Sequence, residues 1–128
     1  MIFFYENESE NFVAGAFNAI VSSDIKSFDA LLQNLSEVLL FPDYFGKNLN
    51  ALYDCLRDLG WIEERIVLVH HQTMPDLPEA EIASYVELLV SAAIDWGFDD
   101  LHELRIAFPS YCKDRIISVL SDVGLYVR

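Results

Sequence analysis

The chain has 128 residues and a mass of 14.6 kDa, the size of one ordinary domain with a buried core. Its 21 acidic residues against 8 basic ones give a formal net charge of −13. This charge excludes nucleic acid and anionic membrane surfaces as partners, because both attract basic proteins. The hydrophobic share of 53% excludes a disordered acidic chain. We therefore expect a single domain over residues 1–128 whose acidic surface suits a basic partner.

The compartment is predicted from the cysteines and from the apolar runs. Cys55 and Cys112 are too few for a disulfide scaffold, and we expect two reduced, half-buried thiols. The N-terminal apolar run lacks a basic flank and stops at Tyr5, which argues against a signal peptide. No stretch approaches the ~18 apolar residues of a membrane span. These features predict a cytoplasmic protein, and we expect it to be a monomer when free.

Two short strands and two helices are predicted in the first half of the chain. Ser27 is suited to cap the first helix, and Pro42 breaks the chain after it because proline cannot continue a helix. The second helix begins at Asn48, and Gly60 is predicted to close it. The predicted strands are residues 1–5 and 18–21, and the predicted helices are residues 27–39 and 48–59.

The second half of the chain continues the alternation of strands and helices. Residues 65–70 contain four consecutive β-branched or leucine residues, as in a strand that is covered on both faces. Pro78 is suited to the first position of a helix, Ser110 is suited to cap another helix, and Gly124 is predicted to stop the latter. The predicted elements are a strand at 65–70, a helix at Glu79–Trp96, a strand at 104–108, a helix at 110–122 and a short strand at 125–127. This order predicts an α/β fold with a mainly parallel sheet.

The sequence carries none of the common catalytic signatures. It contains no G-x-G-x-x-G, P-loop, G-x-S-x-G or H-E-x-x-H motif. His70 and His71 are adjacent on a predicted strand and so point to opposite faces, which predicts one packed and one exposed ring. A metal or general-base role for these histidines is one alternative, and a nucleophilic pair of a cysteine with a histidine is a weaker one. We expect no enzymatic activity, no metal and no cofactor.

The second predicted helix has an apolar face and a polar face. At about 100° per residue, one stripe is formed by Leu49, Leu52, Leu56 and Leu59. Asp54 lies nearly opposite the middle of that stripe. Around Asp54 are Asn50 and Asp58 on the same face, Arg57 at its border, Tyr53 on the flank and Tyr44 in the preceding loop. A polar side of this kind is ordinarily a solvated helix face, and the aromatic residues beside the charges make a binding site the alternative.

The segment around this helix also resembles a known family. From Pro42 to Leu56 the chain reads Pro-Asp-Tyr-Phe-Gly-Lys-Asn-Leu-Asn-Ala-Leu-Tyr-Asp-Cys-Leu. The barstar family of ribonuclease inhibitors has Pro-acidic-Tyr-Tyr-Gly-x-Asn-Leu-Asp-Ala-Leu-Trp-Asp-Cys-Leu at this place. The similarity extends without gaps back through residues 25–31, and by pattern to the strands at 66–69 and 104–108. The family core is expected at residues 18–108, with terminal extensions at 1–17 and 109–128.

The resemblance implies a small α/β domain in two or three layers. Its parallel sheet would have about three strands packed by helices, with extra strands at the termini. Family members bind a microbial ribonuclease of the barnase type. Their second helix and the loop before it enter the enzyme's active site, where acidic side chains replace the RNA phosphates. An acidic helix is complementary to such a basic site.

The resemblance also implies roles for individual residues. Asp54 matches the family's central aspartate, and Tyr44, Asn48 and Tyr53 match the loop tyrosine, the asparagine at the helix start and an aromatic position. Asn50 stands where the founding inhibitor has Asp, and Arg57 and Asp58 replace a Thr-Gly pair. The partner-binding residues are thus predicted to be Tyr44, Asn48, Asn50, Tyr53, Asp54, Arg57 and Asp58.

The function implied is that of a bacterial immunity protein or antitoxin. It would bind a basic ribonuclease or nuclease-like toxin and block the toxin's active site. We expect Asp54→Ala to weaken this complex far more than loss of a remote acid such as Glu8. The alternative is an acidic protein–protein interaction or regulatory domain on the same fold, with no nuclease target.

Overall fold

A computed structural model describes residues 2–11, 13–97, 101–122 and 124 of the chain. In these residues the strands are β1 Ile2–Tyr5, β2 Phe17–Val21, β3 Ile66–His71 and β4 Glu103–Pro109. The helices are α1 Phe28–Val38, α2 Leu49–Asp58, α3 Glu79–Trp96 and α4 Lys113–Asp122. Short 3₁₀ turns cover Glu8–Asn11 and Ser110–Cys112. The fold class is α/β, as predicted.

The sheet of the described residues has four strands, and every neighbouring pair is parallel. Their order is β1-β4-β3-β2. The inner strand β3 therefore pairs Val69 with Ala19 of β2 on one side and with Ile106 of β4 on the other. The predicted core of about three strands is extended by β1, whose Ile2 pairs with Ile106. The strand predicted at residues 125–127 lies outside the described residues.

The main hydrophobic core lies between one face of this sheet and the helices. Strand residues on that face include Ala19, Val69 and Phe108, and all three are fully buried. Each helix contributes at least one fully or nearly fully buried side chain, among them Leu35, Leu56, Leu89 and Leu120. Helix α3 packs against α2 on one side and α4 on the other. The helices therefore form one layer that presents α2 to solvent beside α3. None of the helices in the described part of the chain is both long and apolar enough to cross a bilayer.

The other face of the sheet is partly covered by the N-terminal segment. Tyr5, Leu68 and Ala107 form a small second cluster there. The prediction that one of the two adjacent histidines is exposed is wrong, because His70 and His71 are only 7% and 0% exposed.

His71 lies on the helix side, where its ring stacks on Phe108 with centroids 3.9 Å apart. On the opposite face the rings of Tyr5 and His70 stack with their centroids 5.0 Å apart. A carboxylate oxygen of Glu8 lies 3.8 Å from Nε2 of His70. The N-terminal segment thus covers the ring that a bare sheet would leave in solvent.

The two thiols are buried more deeply than predicted. Cys55 and Cys112 are free, and each is 2% exposed rather than half-buried. Cys55 lies on the inner side of α2, and Cys112 ends the 3₁₀ turn before α4. Burial raises the pKa of both thiols above its ordinary value. Because the thiolate is the reactive form, neither residue is activated as a nucleophile.

The helix ends follow the predicted capping residues with two exceptions. Ser27 caps α1 by accepting a hydrogen bond from the Ala30 amide, as predicted. Gly60 does not provide the left-handed residue at the end of α2; Leu59 does, with φ of 48°. At the last helix, Ser110 opens a 3₁₀ turn instead of capping, and α4 begins at Lys113.

Candidate protein-binding site

Helix α2 separates its buried and exposed side chains as its periodicity predicts. Leu52, Cys55 and Leu56 are buried against the core. Asn50, Asp54 and Asp58 are all exposed, and they lie along the opposite side of the helix. The structure thus brings these three predicted binding residues onto one solvent-facing surface, which we call the α2 face.

Asn48 is tied to the start of the helix. Its Oδ1 accepts a hydrogen bond of 2.8 Å from the Ala51 amide, and its Nδ2 lies 3.4 Å from the Gly46 carbonyl oxygen. The first bond satisfies an amide that has no partner within the helix. Asn48 therefore sets the point at which α2 begins, and this defines where the α2 face starts.

Tyr44 comes from the loop before α2 and lies beside the far end of the helix. Its ring is 69% exposed, and its hydroxyl donates a 3.2 Å hydrogen bond to Oδ2 of Asp58. The other oxygen of Asp58 accepts a 3.2 Å bond from the Gly60 amide. Asp58 thereby holds both the loop tyrosine and the turn after the helix, so the loop and the helix present one continuous surface.

Tyr53 and Arg57 lie on the flank of α2 that faces α3. The Tyr53 hydroxyl donates a hydrogen bond to Oδ2 of Asp95, which raises the pKa of the phenol. The Arg57 Nε lies 3.5 Å from the same Asp95 oxygen, and its guanidinium carbon lies 4.8 Å from the centre of the Trp96 ring. These two predicted binding residues are therefore fixed beside the α2 face and not in its middle.

The C-terminal end of α2 is held by residues that sequence reasoning missed as part of the site. Trp96 Nε1 donates a 2.6 Å hydrogen bond to the Leu56 carbonyl, and His102 Nε2 lies 3.0 Å from the Leu59 carbonyl oxygen. The Leu56 carbonyl belongs to the last turn of α2, where helices lack internal donors, and Leu59 is the residue that ends the helix. Trp96 was predicted only as the last residue of its helix, and neither Asp95 nor His102 carries a local sequence signal of a contact with α2.

The segment that carries the site is bounded by backbone conformations that are costly for ordinary residues. Leu40, Lys47 and Leu59 all have positive φ, with values of 57°, 51° and 48°. They lie at the end of α1, just before α2 and at the end of α2. Left-handed backbone costs roughly 1–2 kcal/mol for a residue with a Cβ. A residue keeps such a conformation only when the surrounding structure holds it in place. Residues of this kind are often found in binding segments.

The histidine alternative can be compared with this geometry. Both ring nitrogens of His71 are engaged: Nε2 lies 2.6 Å from the Tyr85 hydroxyl and Nδ1 lies 3.0 Å from the Ala107 carbonyl. Burial lowers the pKa of His71 from 6.5 to about 3. Across the described residues, no group of three or more His, Cys, Asp or Glu side chains is placed to hold a metal ion. His71 therefore acts as a packed core residue in this fold.

Comparison with known proteins identifies the family. The model of the barstar family, described as barstar (barnase inhibitor), matches residues 16–109. A protein of Bacillus subtilis (strain 168) named "putative ribonuclease inhibitor YrdF" is 44% identical over 46 residues. That alignment covers 36% of this chain and 48% of the relative, about half of the relative's length. The family match covers most of the chain and includes both α2 and the loop before it, and the chain therefore belongs to the barstar family.

Proposed function

We propose that this chain is a protein inhibitor of a ribonuclease or nuclease-like toxin, acting as an immunity protein or antitoxin. The α2 face and Tyr44 would enter the basic active site and fill the positions that RNA phosphates take. The chain itself would catalyse no reaction and would need no metal or cofactor. Membership of the barstar family supports the inhibitor class.

The observation that carries the proposal is the state of Asp54. This carboxylate is exposed in the middle of the α2 face, and within the described residues it accepts no hydrogen bond and joins no ion pair. The acids on either side are engaged, because Asp58 binds Tyr44 and Asp95 binds Tyr53. Asp54 is thus held on a rigid helix with its charge available to a partner. Charge-assisted hydrogen bonds from Arg or Lys are the strongest contacts such a carboxylate can make.

Four of the other predicted residues support Asp54 in this proposal. Asn50 offers an amide on the same face, and Tyr44 and Tyr53 provide aromatic rings held by carboxylates. Exposed aromatic residues around a central charge exclude water when a partner covers them, which strengthens the central contact. Asn48 supports the site by capping α2.

The test measures inhibition of RNA cleavage by barnase and by related basic microbial ribonucleases. The wild-type chain should inhibit at least one of these enzymes at a one-to-one ratio. Asp54→Ala should weaken that complex by about 30-fold or more, because removing a central interface residue costs about 2 kcal/mol or more.

The matched control is Asp114→Ala. Asp114 is an exposed acid on α4, which is separated from α2 by α3, and it makes no hydrogen bond or ion pair within the described residues. Its loss removes the same charge and should change affinity less than about threefold, as for a distant charge screened by salt. Equal effects of the two substitutions would contradict docking through the α2 face. Failure to inhibit any ribonuclease would favour the acidic regulatory domain instead.

A further inference from the structure

Asp95, at the C-terminal end of α3, contacts two of the residues that flank the α2 face. One oxygen of its carboxylate accepts the Tyr53 hydroxyl and lies 3.5 Å from the Arg57 Nε. Asp95 lies on a different helix, 42 residues from Tyr53 along the chain. It is 42% exposed at its side chain, so its loss need not disturb the core.

Arg57 is the side chain that Asp95 restrains most directly. It lies about 60° around the helix from Asp54, at about 100° per residue, and its long side chain is free to reach the α2 face by rotation. In the structure its guanidinium carbon lies over the Trp96 ring of α3 instead, 4.8 Å from the ring centre. This position leaves the Arg57 Nη1 buried with no hydrogen-bond partner among the described residues. A buried donor without a partner costs free energy, so the contacts with Asp95 and Trp96 must offset that cost.

The charge of Arg57 matters because of the partner that the face is proposed to bind. Arg57 is the single basic residue in α2, and Asp54 and Asp58 are its acids. A basic active site would be attracted by the two carboxylates and repelled by a guanidinium that swung beside them. Neutralised by Asp95 and turned onto Trp96, the guanidinium does not oppose docking.

We propose that Asp95 is a positioning residue for toxin binding: it holds Arg57 against Trp96 and keeps the cation of α2 away from the docking face. The same carboxylate fixes Tyr53 at the border of that face. This inference rests on the proposed function, since it assigns to Asp95 an effect on the affinity for a basic ribonuclease. It also extends the site from α2 to the end of α3.

The experiment compares Asp95→Asn, Arg57→Gln and the double variant, using the ribonuclease that the wild-type chain inhibits in the assay above. Asp95→Asn keeps the shape of the side chain but releases Arg57, and it should weaken binding about tenfold. Arg57→Gln should tighten binding about two- to threefold, because it removes a cation and leaves Asp95 unpaired. The double variant should recover to within about threefold of Arg57→Gln.

The control is Asp114→Asn, which removes one remote acid and should change affinity less than twofold. If Asp95→Asn matches this control, Asp95 has no special effect and the inference is wrong. If the double variant stays as weak as Asp95→Asn, Asp95 contacts the partner itself and does not act through Arg57. If Arg57→Gln alone weakens binding tenfold, Arg57 is a contact residue and is not held away from the face.

A measurement on the free protein separates this inference from the proposed function. The pKa of Tyr53, raised mainly by its hydrogen bond to Asp95, should fall towards its ordinary value in Asp95→Asn. Titration of ¹³C-labelled tyrosine by NMR reports this shift without any partner. An unchanged Tyr53 titration would show that Asp95 does not hold the flank. A wild-type chain that inhibits no ribonuclease would instead overturn the proposed function, and the role of Asp95 in binding with it.

Discussion

At the scale of single residues, chemically identical carboxylates have different roles because their neighbours differ. Asp54 is exposed without a polar partner in the described residues, whereas both oxygens of Asp58 accept hydrogen bonds, from Tyr44 and Gly60. Asp95 is held between the side chains of two α2 residues. Only the first is free to give its full charge to a partner. Counting acids along the chain therefore does not locate the binding residue, and the contacts of each acid do.

His71 makes the stability of the fold depend on pH. Its pKa is lowered by burial from 6.5 to about 3. The unfolded chain therefore takes up a proton near pH 6.5, where the folded chain does not. The free energy of unfolding is therefore highest, with respect to His71, above pH 6.5, and it decreases as pH falls from 6.5 towards 3. Between pH 7 and pH 5 this loss is about 2 kcal/mol for a group with these two pKa values.

Urea unfolding at pH 7, 6 and 5 measures this dependence. His71→Gln should be less stable than the wild type at pH 7 but should lose much less stability between pH 7 and pH 5. The substitution His70→Gln at the neighbouring position is the control. It should lose as much free energy of unfolding between pH 7 and pH 5 as the wild type does, because His71 is still present. If His71→Gln and the wild type lose the same free energy over this range, the slope has another origin.

At the scale of elements, the loop and helix of the site are shaped by their ends. After α1, the Phe41 amide donates to the Ser36 carbonyl at 2.9 Å and the Leu40 amide to the Glu37 carbonyl at 3.4 Å. This is the Schellman pattern of helix ends, in which the left-handed position usually belongs to glycine. Trp61 then donates a 2.8 Å hydrogen bond to the Leu39 carbonyl. The loop thus leaves α1 in a direction set by backbone geometry and by contact with Trp61.

Leu40 and Leu59 provide a matched pair for testing the cost of this geometry. Both are leucines with positive φ, but Leu40 is 60% exposed and Leu59 is fully buried. Leu40→Gly should stabilise the fold by about 1 kcal/mol, because it relieves left-handed strain and loses little burial. Leu59→Gly should destabilise it by about 2 kcal/mol, because lost core packing outweighs the same relief.

Urea unfolding midpoints of the two variants check this expectation. The free energy of unfolding should rise in Leu40→Gly and fall in Leu59→Gly. Both substitutions relieve left-handed backbone strain, but only Leu59 is buried in the core. A destabilised Leu40→Gly variant would mean that the exposed leucine contributes packing that its position does not indicate.

At the scale of the whole molecule, the net charge and the docking face act over different distances. The formal charge of −13 creates a long-range field, while the α2 face supplies the short-range contacts. Part of the charge is neutralised by local ion pairs. One of them joins α4 to α3, where Nη2 of Arg115 lies 2.5 Å from Oε2 of Glu79. The surplus that remains is expected to attract a basic partner before the two surfaces touch.

The association rate with an inhibited ribonuclease should therefore depend strongly on salt. Between about 0.05 and 0.5 M NaCl we expect the rate to fall about tenfold or more, because the field is screened at distances beyond about 10 Å. The dissociation rate should change much less, since it reflects close contacts. Stopped-flow or surface-based kinetics measure both rates. An association rate that does not change with salt would rule out attraction by the net charge.

The fold class, the approximate helix bounds and the polar face of α2 could all be predicted from the amino-acid sequence. These depend on periodicity and capping within a few residues, as with Ser27 and the spacing of Leu52 and Leu56, and such local preferences survive in the folded chain. The family resemblance depended on one continuous segment, Pro42 to Leu56, which lies within residues 16–109 that the family model matches.

Three features became visible only in the folded chain: the pairing of β1 with β4, the burial of both adjacent histidines, and the contacts of Tyr53 and Arg57 with Asp95. Each depends on residues that are far apart in the chain. The Tyr5 hydroxyl donates a hydrogen bond to the carbonyl of His71, 66 residues away, and Tyr53 contacts Asp95, 42 residues away. Local patterns do not encode which distant side chains meet, because that choice follows from how the whole core packs.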